Sequence, residues 1–512
     1  MEAVDVDVTR GGFRIVPPSF LRVPRDADPD VALGFAIRAE QGLEDSALHR
    51  KGGFELEARL DRTGHRHANG AATIKPTTGE LQIVVGPLLG RNTRGSAIPE
   101  ERLVHNYLVE AGLAARIPKG IRIWEETLRD GEQTPGVAYT PEEKVRIARL
   151  LDEVHVPMMD VGIPVVSSEE ARGVRMIANA GLDATIMAAA RTVRKDVEAC
   201  IACDVDEIAL FTAGSDLHIK HKLAMTRDQV KEAAVRETEY AVAHGVDVSF
   251  VTEDTFRADL DFVVDLYDAC TAAGAHRAVV CDTVGVMTPP GIAWFFEQLK
   301  RRLRPTELSF HGHNDFGLAV ANSLAAVEAG VAVPHTCVNG LGERSGNASF
   351  EELVLALEAL YGYDTGIDVS RIYELSQLVE TLSGIPVGTH QPLVGPNAFA
   401  HESGIHAHGV IKHTATYEPI QPEKLGRQRT FVFGKHTGSL AVAEKLRGRG
   451  IAATPEQVAG LVKLIKDFAE GRSKGDQQAF VALFRERAER QRGVTDDEFW
   501  ALARKAGLAA PK

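Results

Sequence analysis

The sequence predicts an α/β protein built on a (β/α)8 TIM barrel, with an N-terminal extra domain and a mostly helical C-terminal region. Three observations carry that expectation. From residue 121 onward, short β-branched or apolar runs alternate with amphipathic helical stretches. Eight such runs fall within roughly the ~250 residues that a closed barrel takes. The polar, chemistry-bearing residues cluster at the C-terminal ends of these runs, where that fold carries its active sites.

Taken in order, residues 1–116 are rich in Gly, Pro, Arg and Asp and form an N-terminal domain of unassigned role. A strand pair is expected over 53–60 and 81–85, and a helix over 100–114. His65 and His67 form an HxH in a Gly/Asn-rich turn and are expected to be a solvated loop. The barrel, 117–390, takes its strands from IRIWEE (121–126), PMMDVG (157–162), ATIMAAA (184–190) and EIALFTA (207–213). It continues with DVSFVTE (247–253), AVVCDT (278–283), ELSFHGH (307–313) and HTCVNG (335–340). Helices are expected over 141–153, 168–180, 226–244 and 259–273, and strict βα alternation implies a parallel sheet. The helix at 141 announces itself with Thr140 as N-cap, Pro141 in its first turn and Glu143 completing a capping box. Beyond the barrel, 391–512 holds a Gly- and His-rich segment and then polar helices near 455–470 and 495–505.

Composition narrows the class. Of 512 residues 44% are hydrophobic and 25% charged, which is ordinary globular usage. A formal net charge of −13 argues against a broad nucleic-acid or anionic-membrane surface. No apolar run approaches the ~18–20 residues of a membrane span. The acidic N-terminus lacks the apolar stretch of a secretory signal. Five cysteines in so long a chain make no disulfide framework, and a cytoplasmic location is expected. Cys200 and Cys203 have CxxC spacing but no second Cys/His pair nearby, so they are expected to be small buried helix residues.

The strongest chemical signal is His311-Gly312-His313-Asn314-Asp315. Residues two apart on a strand face the same side, so both imidazoles point one way. In a closed barrel the seventh, eighth and first strands are neighbours, which brings Asp130 to this pair, and Asn347 after the eighth strand can supply an amide oxygen. Two imidazoles, a carboxylate and an amide oxygen suit a hard or borderline divalent ion (Mn, Mg, Zn or Co) with positions left open for water or substrate. Arg129, beside that carboxylate, is suited to polarising a carbonyl oxygen. Gln133, in the same loop, is expected to bind substrate. The glycines at 340, 342 and 346 permit close backbone approach in the loop that ends at Asn347. His406 and Tyr417 lie beyond the barrel and are compatible with acid–base groups, cofactor contacts or a solvated loop.

These segments carry a family resemblance. TLRDGEQTPG (127–136), HGHND (311–315), NGLGERSGNA (339–348) and HESGIHAHG (401–409) resemble the 2-isopropylmalate synthase/homocitrate synthase family. The resemblance implies a metal-dependent Claisen condensation of acetyl-CoA with a 2-oxo acid, followed by thioester hydrolysis. It makes Asp130, His311 and His313 metal ligands and Asn347 a further ligand or supporting group. It makes Arg129 the residue that polarises the keto oxygen, Thr283 a substrate-carboxylate contact and Glu253 a catalytic acid/base. It assigns His406 and Tyr417 to the neighbouring subunit's active site, and so implies a homodimer with shared sites.

The chain departs from the family pattern in several places. Glu125-Glu126-Thr127 stands where members have Asp-Thr-Thr, Asp160 stands where they have Glu, and His408 where they have Asp. Ser249 stands near an Arg with which homocitrate synthases meet the distal carboxylate of 2-oxoglutarate, which argues against that substrate. Oxaloacetate or a phosphorus-bearing pyruvate analogue is the alternative substrate. A related 3-hydroxyacyl-CoA lyase would carry a Cys in the loop at 340–347, and none occurs there. A non-catalytic metal-binding relative is the remaining alternative, set against the intact Arg129, Asp130, His311 and His313.

Overall fold

In the computed structural model the described residues are 112, 116–472, 474–490 and 493–508, together with six short strands in the first 85 residues. The chain divides into two compact units, Met1–Ile98 and Pro99–Lys512. In the first, β1 (Asp5–Thr9) and β2 (Gly12–Val16) form an antiparallel pair. A second antiparallel sheet holds β3 (Phe35–Ile37), β4 (Phe54–Leu56), β5 (Gly70–Thr77) and β6 (Glu80–Val85) in the order β3-β6-β5-β4. The two segments expected to pair are therefore both strands but not partners, because β5 lies between them. The expected helix over 100–114 and the His65/His67 turn lie outside the described residues.

The second unit contains the barrel. Its strands are β7 (Trp124–Glu125), β8 (Met158–Asp160), β9 (Thr185–Arg191), β10 (Glu207–Ala213), β11 (Asp247–Glu253), β12 (Arg277–Asp282), β13 (Glu307–Gly312) and β14 (Val333–Thr336). All pair in parallel, and β14 returns to β7 through His335 opposite Trp124 and Thr336 opposite Glu125, closing the barrel. The eighth strand begins and ends earlier than its sequence suggests. Asn339 and Gly340 adopt left-handed φ of 59° and 66°, and the Glu351 carboxylate accepts the Asn339 N–H, so this stretch turns away instead of extending.

Period-two alternation divides the strand residues between two cores. On β10, Ile208 and Leu210 join the large cluster beneath the surrounding helices, whereas Ala209 joins a smaller one with Trp124, Met158, Met187, Val279 and Cys281 inside the barrel. The helices between strands are set by their own termini. Pro141–Glu153 carries the full Thr140/Glu143 capping box, and Ser167, Thr226 and Asp259 cap the helices that follow them. Cys200 and Cys203 are buried, free thiols. Past the barrel, Gly404–Lys412, Ser439–Arg447, Pro455–Glu470, Lys474–Arg490 and Asp496–Lys505 are helical. Among the described residues no helix is long and apolar enough to cross a membrane.

Below the apolar interior, at the N-terminal ends of the strands, lies a buried ion network. Arg277 donates to Glu207 and Ser249, each at 2.6 Å, and to Glu307 at 2.7 Å. Its guanidinium sits 5.6 Å from the Trp124 ring centroid. Replacing Arg277 by Met leaves Glu207 buried without its partner. We expect R277M to lose about 3–5 kcal/mol of stability by chemical denaturation. The double variant R277M/E207Q should recover part of that loss; equal losses in the two would show that the unpaired charge is not the cause.

Candidate active site

Above the apolar interior, at the C-terminal ends of the strands, a cavity of about 350 Å³ opens. Each functional side chain arrives there by a local rule. Chain alternation turns His311 and His313 to the same side at the end of β13. The residues after β7 fold into a turn at once: the N–H groups of Arg129 and Gly131 both bond the Glu126 carbonyl, which swings Arg129 and Asp130 over the rim. Asn347 reaches Asp130 because glycines let the loop fold tightly. A Cβ on Gly342 would lie 2.4 Å from the Asn347 amide nitrogen, and one on Gly346, at φ +82°, would lie 1.9 Å from the Gly340 carbonyl oxygen.

The imidazole Nε2 atoms of His311 and His313 are 3.2 Å apart, and each is 4.0 Å from Asp130 Oδ2. All three residues are buried. Ligand bonds to a divalent ion run about 2.0–2.2 Å, so donor atoms at this spacing fall within reach of one cation. A further observation fits an ion. Burial, with the His311 charge next to it, pulls the His313 imidazole down to about 4, so at neutral pH it is an uncharged ring with a free lone pair. Burial alone would raise Asp130, but Arg129 and His311 more than offset it and hold the carboxyl below its usual range.

Arg129 organises the acids around this point. Its Nε donates to Asp160 at 2.7 Å, its Nη1 to Asp130 at 2.8 Å, and its Nη2 to Glu126. Glu126 in turn lies 2.6 Å from His311 Nδ1 and 3.1 Å from His335 Nδ1. Glu126, His311 and His335 form a second group of possible ligands. Both Glu126 oxygens are already engaged by Arg129 and His311, however, and His335 Nε2 is 2.6 Å from the Ser309 hydroxyl. That group is a hydrogen-bond network, and the Asp130 group is the better cation site.

The residues singled out from sequence are not all brought together. Arg129, Asp130, Gln133, Glu253, Thr283, His311 and His313 line the cavity. Glu253 is ion-paired with Lys222 at 2.7 Å. Thr283 accepts the Asp254 N–H at 2.8 Å, which leaves its own hydroxyl proton free to donate. Asn347 stands behind Asp130 and not among the lining residues, donating its amide nitrogen to Asp130 Oδ2 and, at 3.1 Å, to the Leu341 carbonyl. His406 and Tyr417 are absent from this cavity. They pack on each other with ring centroids 4.2 Å apart, and Tyr417 is exposed. Ser249 faces inward one level lower, bonded to Glu207 and Arg277. Sequence reasoning missed Glu126, His335, Lys222 and Arg344 as lining residues. Glu126 and His335 were findable, since each lies two residues past an interior position of its strand; Lys222 sits in a short helical turn, Ile219–Leu223, and Arg344 on a loop, and no periodicity encodes the course of either.

Comparison with known proteins is consistent along the chain. The HMGL-like family matches residues 120–379, and the family described as Homocitrate synthase post-HMGL domain-like matches residues 393–473. The 2-isopropylmalate synthase of Methanocaldococcus jannaschii is 47% identical over 354 residues, covering 68% of this chain and 68% of its own length. The (R)-citramalate synthase CimA of the same organism is 44% identical over 350 residues, 68% of this chain and 71% of its own. The homocitrate synthase AksA of Methanopyrus kandleri is 45% identical over 391 residues, 76% of this chain and 98% of its own.

The geometry predicts one divalent ion per chain. Titration of metal-stripped protein with Co(II), followed by visible absorption, should saturate at one equivalent. Binding should weaken at least about 100-fold in D130A and H311A, which each remove one of the candidate donor atoms. Unchanged affinity in both variants would refute the site.

Proposed function

The chain belongs to the HMGL-like family, in its isopropylmalate and homocitrate synthase branch, and on that premise we propose that it condenses acetyl-CoA with a 2-oxo acid whose side chain carries no charge. The observation that carries this reading is the convergence of Asp130, His311, His313 and Arg129 over an apolar cavity floor.

A divalent cation (Mn, Mg, Zn or Co) held by Asp130, His311 and His313 would supply Lewis-acid polarisation of the keto group. The chain's own groups do the rest. Three of the five Arg129 N–H donors are engaged by Glu126, Asp130 and Asp160, which fixes the plane of the guanidinium; the remaining two are free for the keto oxygen as it gains negative charge. The Thr283 hydroxyl and the Gln133 amide bind the substrate carboxylate. Glu253 takes a proton from the acetyl methyl group, and the resulting carbon bonds to the keto carbon while the keto π electrons move to oxygen, which is then protonated. Water cleaves the C–S bond of the thioester, giving a carboxylate and the free thiol of CoA. Asn347 holds Asp130 in place. His406 and Tyr417 serve the site of a second subunit in a homodimer.

The uncharged side chain follows from charge bookkeeping in the cavity. Its floor is made by Ile163, Ala189, Ala209, Phe211, Val251 and Val279. Its cations are Arg129, Lys222 and Arg344, and each is already paired, with the three acids named above, with Glu253 and with Asp315. Beneath the floor, Arg277 stands directly opposite Ser249 in the strand register, yet Glu207 and Glu307 neutralise it. A second carboxylate or a phosphonate on the substrate would be desolvated with no free cation to meet it.

The test is release of free CoA across pyruvate, 2-oxobutyrate, 2-oxoisovalerate, 2-oxoglutarate, oxaloacetate and phosphonopyruvate. One of the first three is expected to exceed each of the last three in kcat/KM by at least about 100-fold, the cost of leaving one charge unpaired. Release with no 2-oxo acid in the panel would count against the synthase reading, and preference for a dianionic substrate against the uncharged side chain.

A further inference from the structure

We propose that Glu126 is a positioning residue that fixes the tautomer of His311, holding the Nδ1 proton toward its own carboxylate so that the Nε2 lone pair faces Asp130 and His313, while the same carboxylate fixes Arg129. This role presupposes that Asp130, His311 and His313 hold an ion, as proposed above.

Glu126 is 1% exposed, and no solvent competes for its oxygens. One oxygen is 2.6 Å from His311 Nδ1; the other accepts from Arg129 Nη2 and lies 3.1 Å from His335 Nδ1. A carboxylate without a proton only accepts, so the Nδ1 atom that faces it at bonding distance carries the hydrogen. In the neutral ring, the form that can bind a cation, the other nitrogen of His311 is then the lone-pair atom, and it is the one 3.2 Å from His313 Nε2 and 4.0 Å from Asp130 Oδ2. The carboxylate cannot swing away. Its backbone N–H donates to the Thr336 carbonyl at 2.8 Å across the barrel's closing seam. His335, stacked on Trp124 at 4.1 Å and held by Ser309, walls off one side. One buried acid thus couples a metal-site imidazole to the guanidinium that faces the keto group.

Glutamine at 126 separates positioning from packing. It keeps the volume, but its amide has one acceptor and one donor end. With the oxygen toward His311 the NH2 group opposes Arg129; with the NH2 toward His311 the ring is driven into the other tautomer. Either the bond from Arg129 or the tautomer of His311 is lost.

The experiment uses full-length, metal-stripped wild type and E126Q. Co(II) affinity is read by visible absorption against a competing chelator, and long-range ¹H–¹⁵N spectra of ¹⁵N-histidine-labelled protein report the tautomer, with the His311 signal assigned by its loss in H311A. Wild type should bind one Co(II) and show His311 protonated on Nδ1. E126Q should bind one Co(II) about 10–100-fold more weakly, with a melting temperature close to wild type, and E126D should recover part of the affinity. Affinity in E126Q within about twofold of wild type would overturn the proposal. So would loss of Co(II) as complete as in D130A, which would make Glu126 a ligand. If E126Q does not fold, the wild-type spectrum, taken at a pH where the ring is neutral, decides alone: a neutral His311 protonated on Nε2 overturns the proposal. Wild type that binds no Co(II) fails the metal-site reading itself, a result distinct from all of these.

Discussion

Two register pairs close the barrel, His335 with Trp124 and Thr336 with Glu125, and the chemistry of the molecule depends on that seam. It is short, but it is reinforced immediately above. The Glu126 N–H donates to the Thr336 carbonyl, and the Val338 N–H to the Thr127 hydroxyl, both at 2.8 Å. The turn carrying Arg129 and Asp130 hangs from one side of the seam and the pair His311/His313 stands one strand beyond the other. Without closure the acid and the imidazoles would sit at opposite edges of an open sheet, and no ion could be shared between them.

The closed rim concentrates carboxylates. Glu126, Asp130 and Asp160 surround a single guanidinium, so the cluster holds more acid than base. Arg129 is held well above its already high value; burial works against it, and the three acids outweigh that. Such a cluster attracts a cation and repels a second anion. On the reading proposed above, the features that make the rim a candidate metal site also bear on which 2-oxo acid fits beneath it, because each Arg and Lys lining the cavity already has an acid for a partner. The same logic operates at the opposite end of the barrel, where Arg277 is matched by Glu207 and Glu307 and serves stability. Charge at the bottom is balanced, because Arg122 also meets Glu307 at 2.6 Å, whereas the acids around Arg129 outnumber it.

Legibility varied with the range of the interaction that fixes each residue. The strands β10 and β11 begin and end where the residues alone suggest, because their β-branched runs are bounded by helix termini with strong capping signals. The first strand is shorter than its run, and the eighth is displaced, since a left-handed Asn339, whose N–H the Glu351 carboxylate accepts, turns the backbone away from outside the local pattern. Ser249 shows what the sequence leaves out: a guanidinium stands directly opposite it on the next strand, paired with two acids. His406 and Tyr417 are recognisable in the sequence and yet lie outside the chain's own cavity.

By itself the sequence determined the alternation of eight strands with helices, the HxH at the end of one strand and the Arg-Asp at the end of another, because these are set by side-chain periodicity and local capping over a few residues. Only the tertiary structure decided that Glu126 binds both His311 and Arg129, that Asn347 stands behind Asp130, and that every base around the cavity already has an acid for a partner. Those facts depend on distances between residues remote in the chain, and such distances come into being only when the sheet closes on itself.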